Sequence, residues 1–203
     1  NGLMAIFAVE TGRTFWTKLP NIVGVARVKA LTGELTKQNV GKACDTIIDE
    51  AAASLFMSRD EYFTNLLKPD FNIKIKELNK QLKAQEKPPL YPYAFGLMQF
   101  TLNGVDAVNK GRTLQSKTKI NLKDIYEASL LDQLGYAIDY FIGTTSYKNL
   151  ALSQMPYDKI YALVLYPAVL SGKEYPTPSG NESVDLDSSG TINFAEVSAR
   201  ASR

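Results

Sequence analysis

Between Asn39 and Met57 the apolar residues Val40, Ala43, Cys44, Ile47, Ile48, Ala51 and Leu55 recur at helical spacing. That 3.6-residue period commits the stretch to an amphipathic helix and demands a core for its apolar face. Other segments follow the same pattern. Asn1 to Gly12 predicts a short buried helix closed by Gly12, followed by an aromatic, polar connection from Arg13 to Pro20. Ser58 stands three residues before Glu61, a capping box that starts a further helix. Phe71 to Gln85 is helical and rich in lysine, and the prolines of Glu86 to Pro92 form a stiff break. Tyr93 to Val108 predicts another apolar helix. Asn121 to Ile142 predicts a long one, with Leu130, Leu131, Leu134, Ile138 and Phe141 along one side. Pro156 opens a helix containing Ile160, Tyr161, Leu163, Val164 and Leu165, which Pro167 stops. Strand-like alternation is scarce, so the expected class is mainly α. Gly172 to Ser183 is rich in Pro, Ser and Gly, which divides the chain into a main domain, 1–172, and a tail, 173–203.

With 203 residues and an apolar fraction of 45%, the chain can build a substantial core. The 23 basic and 21 acidic residues leave a net charge of +2, too weak a field to argue for nucleic acid. There is no histidine, which removes His-ligated zinc, Ser-His-Asp hydrolysis, Cys-His proteolysis and any imidazole base. The lone Cys44 precludes an internal disulfide, and its neighbours Ala43, Ile47 and Ile48 suit a buried core thiol. No membrane span is expected. The apolar run Leu3 to Val9 lacks the flanks of a signal peptide. A chain opening on Asn1 is expected to be a piece of a longer protein or to have lost a leader, and the first is preferred.

Asp185 to Glu196 reads DLDSSGTINFAE and fits the twelve-residue EF-hand calcium loop. Asp185, Asp187 and Ser189 supply side-chain oxygens at loop positions one, three and five, and Gly190 occupies the sharp turn. Thr191 offers its carbonyl, Ile192 is the apolar pin, Asn193 ligates directly or through water, and Glu196 binds with both oxygens. The competing reading is a polar turn that caps a C-terminal helix. Thr177 to Ser183 cannot form a long entering helix, so a single loop with only an exit helix, Asn193 to Ala201, is expected. Paired EF-hands act as sensors. A lone loop is expected to be a structural clip that pins the tail with Ca2+.

Two short segments bear on catalysis, AIFAVETGRTF from Ala5 to Phe15 and AFGLMQFT from Ala94 to Thr101. Glu10 follows Ile6, Phe7 and Val9, so partial desolvation would raise its pKa and keep it protonated near neutrality. A protonated carboxyl can deliver a proton to a glycosidic oxygen. From position alone the plainer reading is an ion pair with Arg13 or Lys18. Gly96 permits close backbone approach beside Gln99, whose amide needs partners that a sugar N-acetyl or hydroxyl group can supply.

Taken together, Glu-Thr-Gly-x-Thr-Phe and Gly-Leu-Met-Gln-Phe-Thr resemble the lysozyme-like superfamily, which includes soluble lytic transglycosylases, goose-type lysozymes and phage wall-degrading enzymes. Leu131 to Tyr140 (LDQLGYAIDY) and Ile160 to Lys173 (IYALVLYPAVLSGK) look like the tail of phage-type wall hydrolases. The resemblance implies a lysozyme-like helical fold that cleaves the MurNAc-GlcNAc β-1,4 bond of peptidoglycan, with Glu10 as general acid. It implies that Gly96, Leu97, Met98 and Gln99 line the cleft, with Thr101 as a further polar contact. Thr11 stands where many relatives carry serine. Tyr161 or Tyr166 falls near a cleft tyrosine of relatives, although the usual Ala-Tyr-Asn triplet is missing. The stretch from about Lys29 to Pro88 is longer than in compact relatives and is expected to form an inserted helical lobe.

A second carboxylate would mark a hydrolase. Glu34, Asp45, Asp49 and Glu50 are near in sequence, and solvated helix faces are the plainer reading of each. With Glu10 alone, the N-acetyl or 6-hydroxyl group of the sugar would help expel the leaving group. Hydrolysis leaves a reducing end and lytic transglycosylation a 1,6-anhydro end; hydrolysis is the preferred expectation. The alternative of another class is a non-catalytic, calcium-dependent wall-binding or structural module. The expected setting is the bacterial periplasm or cell wall, reached by secretion or delivery. A type VI secretion effector would have an immunity protein as partner, and a phage lysin would have assembly partners.

Overall fold

The structure, a computed structural model, describes residue 18 and residues 37–144, 155–177 and 184–201. Its described residues are mainly helical. In chain order the helices are α1 (Lys37–Ser54), α2 (Arg59–Leu66), α3 (Pro69–Ala84), α4 (Leu102–Leu114), α5 (Leu122–Glu127), α6 (Leu130–Thr144), α7 (Tyr157–Leu165) and α8 (Phe194–Ala201). A 3-10 turn, Pro167–Ser171, follows α7. Two short strands, β1 (Tyr175–Pro176) and β2 (Thr191–Ile192), pair antiparallel with Tyr175 opposite Ile192. The described residues fall into two compact units, one holding 18 and 37–144, the other 155–177 and 184–201. The division therefore lies before α7, earlier than the Gly172 boundary expected from composition. None of the described helices is long and apolar enough to cross a membrane.

The period of α1 buries Cys44, Ile47, Ile48 and Ala51 completely. Burial first, and the nearby charge of Asp45 second, push the Cys44 thiol up to about 12, so it is an inert core group. The Ser58 capping box forms as its spacing predicts, with Glu61 accepting from Ser58 N at 2.7 Å. Phe63 of α2 meets Phe95 and Tyr126 at ring-centroid distances of 5.1 and 5.4 Å. Tyr62 donates its hydroxyl to the Pro92 carbonyl at 2.7 Å. The described part of the stretch expected as an inserted lobe, α1 to α3, thus packs through α2 on the same core as Phe95 and Tyr126. The proline break also forms. Asn79 of α3 accepts from Leu90 N and Tyr91 N at 3.1 and 3.0 Å and donates to Tyr91 O at 2.8 Å.

Two expected helices are redrawn. Tyr93 to Val108 is helical only from Leu102, because Gly96 and Gln99 take positive φ of 82° and 50° and turn the chain back first. Asn121 to Ile142 breaks at Ala128, where ψ is 146°. Each half has its own cap: Asn121 with Asp124, and Ser129 Oγ accepting from Asp132 N at 3.2 Å. The buried side of α6 is only partly the expected one. Phe141 is buried as expected and Leu134 is half-buried, but Leu130, Leu131 and Ile138 are exposed, whereas Gln133, Ala137, Asp139 and Tyr140 are buried.

That face is chosen by a close crossing of α4 and α6. A Cβ on Gly111 would lie 1.8 Å from the Asp139 carbonyl oxygen, and one on Gly143 would lie 1.8 Å from that of Ala107. Around the crossing, the Asp139 carboxylate accepts from Gln115 Nε2 at 2.7 Å, Lys117 Nζ at 2.8 Å and Arg112 Nη1 at 3.0 Å. Burial raises the Asp139 pKa, but these three donors outweigh it and hold the carboxyl below its usual range.

Gly143→Ala should therefore destabilise the protein by about 3 kcal/mol or more, because backbone must move to admit the methyl group. Gly135, on the same helix, has nothing within 4 Å of an added Cβ. Gly135→Ala should instead stabilise by roughly 0.5–1 kcal/mol. Urea unfolding of both variants checks the pair; equal effects would remove the crossing from this account.

Candidate functional site

The GLMQ segment forms a tight turn. Phe95 N donates to Phe100 O at 3.1 Å and Phe100 N to Phe95 O at 2.8 Å, an antiparallel bridge that brackets Gly96 to Gln99. Gln99 N donates to Gly96 O at 3.1 Å, and the Gln99 side-chain amide donates to the same oxygen at 2.8 Å. Phe95, Leu97, Met98 and Phe100 are all buried, so the turn is fixed in the core by its apolar side chains.

The residue that holds it is Gln133 on α6, which is 0% exposed. Gln133 Oε1 accepts from Leu97 N at 2.8 Å, and its Nε2 donates to Ile125 O at 2.8 Å. Gly96 is needed beside it: a Cβ there would lie 2.6 Å from Gln133 Oε1. The sequence places Gln133 within the Leu131 to Tyr140 segment without giving it a role. The available signal was a lone amide inside an apolar helix, which must find partners when buried.

These facts sort the expected cleft residues. Leu97 and Met98 are core side chains, 0% and 5% exposed, so they support the turn and present little surface to a ligand. Gln99 is half-buried at the turn's end. Thr101 caps α4, its hydroxyl oxygen accepting from Gly104 N at 3.4 Å. Tyr161 lies in the other unit and is 1% exposed, packed with Ile192 and Val197, its hydroxyl accepting from Arg200 Nε at 3.3 Å. It is a core residue there. Tyr166 packs its ring against Tyr175 at 5.8 Å. Glu10, Thr11 and Glu34 lie outside the described residues.

Two of the nearby carboxylates are committed to ion pairs. Asp49 accepts from Arg59 Nε and Nη2 at 2.7 and 2.5 Å, and the Arg59 hydrogen bond holds its pKa below the usual range. Asp45 accepts the Tyr126 hydroxyl at 2.6 Å and lies 3.5 Å from Lys18 Nζ. Glu50 is exposed on α1.

In the C-terminal unit, Asp185, Asp187 and Glu196 each bring one carboxylate oxygen into a group spanning no more than 4.8 Å, a spacing that can hold a metal ion. The loop is pre-shaped by its own amides. Asp185 accepts from Ser189 N at 2.9 Å, Gly190 N at 2.8 Å and Thr177 Oγ1 at 2.9 Å. Asp187 accepts from Ser189 N at 3.0 Å, and its bonds to Ser189 hold its pKa below the usual range. Gly190 has φ of 81°, the left-handed conformation the turn requires. Glu196 is 8% exposed and accepts from Leu186 N at 2.7 Å and Asn193 N at 3.0 Å. Ser189 Oγ and Thr191 Oγ1 lie 2.9 Å apart on the loop's exposed side. Asn193 Oδ1 accepts from Glu196 N at 3.1 Å and so starts the exit helix α8, which the sequence predicts over almost the same residues. Upstream of the loop, Tyr175 and Pro176 form a strand against Ile192 and Thr191, and Thr177 N donates to Gly190 O at 2.9 Å. The sequence gives no signal for this pairing.

Gln133→Leu should cost about 3 kcal/mol, because it strands the buried Leu97 amide and Ile125 carbonyl. Urea denaturation checks this, and a variant as stable as the parent would show that the turn does not depend on Gln133.

No protein-family model, curated protein or solved structure matches this chain.

Proposed function

We propose that the chain cleaves peptidoglycan glycan strands as a lysozyme-like domain, with Glu10 as general acid. The observation that best supports this reading is the built turn at Gly96 to Gln99, the residues that the resemblance expects to line the cleft. A turn held by a fully buried glutamine and a two-way backbone bridge is a rigid platform, and rigid platforms suit substrate positioning. Gln99, half-buried at its end, is the side chain of the turn best placed to meet a sugar. The commitment of Asp45 and Asp49 to Arg59 and its neighbours favours Glu10 acting with help from the substrate's own N-acetyl or 6-hydroxyl group. A general acid of this kind contributes about 10²–10⁴-fold. Glu10→Gln should therefore fold normally and lower the clearing of a cell-wall suspension by at least that factor. Unchanged clearing would refute the acid role, and no clearing by the parent would favour a wall-binding module. Mass spectrometry of the products separates hydrolysis, which leaves reducing ends, from transglycosylation, which leaves 1,6-anhydro ends.

The second part of the reading is a calcium ion held by Asp185, Asp187, Ser189, Thr191, Asn193 and Glu196. Three acidic side chains this close offer a divalent cation oxygen ligands from separate points of the loop, which it would cross-link. The loop's apolar pin, Ile192, is buried with Val184, Tyr161 and Val197. Tightening the loop would thus tighten the C-terminal core, which suits a structural clip better than a sensor. Calcium at about a hundredfold excess over its Kd should stabilise this unit by about 2.7 kcal/mol. Asp185→Ala combined with Asp187→Ala should abolish the difference between melting curves recorded in calcium and in chelator. A parent protein indifferent to calcium would refute the clip.

A further inference from the structure

The positive charge of the chain is concentrated on α3 and its ends. Residues 68–87 hold six lysines and three acids, a net charge of +3 against +2 for the whole chain, so all other residues together sum to −1. At about 100° per residue, Lys76, Lys80 and Lys83 fall on one side of the helix, in a row with Pro69 and Ile73. Asp70, Lys74 and Glu77 lie about 100–160° round from Lys76. The three lysines of the row are exposed, and none pairs with a carboxylate among the described residues. Lys76 holds its ammonium over the Tyr93 ring at 5.2 Å. Cations three and four residues apart on one helix face repel one another. The helix C-terminus favours Lys83 in the last turn, but Lys76 and Lys80 stand too far from that end to benefit. Ile73, in the same row, is 66% exposed. Asn72, Ile75 and Asn79 are buried and fix α3 to the protein.

We infer that this face of α3 docks on the surface of an anionic lipid bilayer. A negative lipid surface supplies counter-charge to all three lysines at once, and each lysine adds to the attraction. The exposed Ile73 separates a bilayer from a soluble polyanion. It can enter the layer between headgroups and acyl chains, whereas a hydrated polymer leaves it in water. The row also lacks what single-stranded nucleic acid uses. It has no arginine, and the Tyr93 ring beside it is covered by Lys76, so it offers bases no aromatic platform. The buried side of α3 is committed to the core, so the docking is peripheral and no helix has to leave the fold. This attachment is independent of wall cleavage and of any role for Glu10.

Sedimentation of the full chain with sucrose-loaded vesicles tests this. Vesicles of equal parts phosphatidylcholine and phosphatidylglycerol should bind it, phosphatidylcholine vesicles should not, and added salt should release it. Lys76→Gln, Lys80→Gln and Lys83→Gln together should weaken binding about a hundredfold, near fivefold for each lysine. An equal loss of charge off α3, by Lys110→Gln, Lys119→Gln and Lys159→Gln, should leave binding within about threefold of the parent. Ile73→Ser should weaken it about fivefold. All these positions are exposed, so the changes leave the core intact. The inference is overturned by equal or absent binding to the two kinds of vesicle, by a charge control as damaging as the α3 triple, or by full affinity in Ile73→Ser. It is overturned equally by single-stranded DNA or purified sacculi holding the chain more tightly than anionic vesicles of equal charge.

Discussion

Helices α4 and α6 meet backbone to backbone at Gly111 and Gly143, and the larger unit is arranged around that contact. Neither position has room for a Cβ, because the partner's carbonyl oxygen occupies the space. So close an approach fixes the rotation of α6 about its own axis. It turns Asp139 into the protein, where Arg112, Gln115 and Lys117 from the α4 end close over it. Breaking one of these donors would leave a buried charge short of partners, so the network enforces one register between the two helices.

The same rotation presents Gln133 to the GLMQ turn. From there the dependence runs outward. Gln133 bridges the Leu97 amide and the Ile125 carbonyl, tying the turn to α5. Phe95 and Tyr126 then pack against Phe63, tying both to α2. The turn's exit delivers Thr101 as the cap of α4, which returns the chain to the crossing. The turn is thereby held rigid by a chain of buried contacts, with only Gln99 of its four residues partly exposed.

The C-terminal unit solves a different problem. The residue at the middle of the acidic loop pairs with the preceding strand, Tyr175 lying opposite Ile192. The acidic loop, its buried Ile192 and the Tyr161 core are contiguous, so the geometry of the loop and the packing of the core depend on the same few residues.

Much of this was legible in the amino-acid order because it depends on neighbours in the chain. Helical period set α1, α3 and α7, spacing alone set the Ser58–Glu61 box, and Gly190 with Asp185, Asp187 and Glu196 marked the loop and its exit helix. These are local: a hydrogen bond over three residues or a 3.6-residue repeat needs no partner from elsewhere. Tertiary structure decided what long-range contacts control. It turned Gly96 to Gln99 out of a helix, because Gly96 had to fit against Gln133, thirty-seven residues away. It buried the Gln133–Asp139 side of α6 and left the apolar Leu130, Leu131 and Ile138 exposed, because a glycine crossing outbid hydrophobic periodicity. It drew α2 into the common core, where Phe63 meets Phe95 and Tyr126. None of these follows from spacing, since each depends on which surfaces meet and on how closely their backbones can approach.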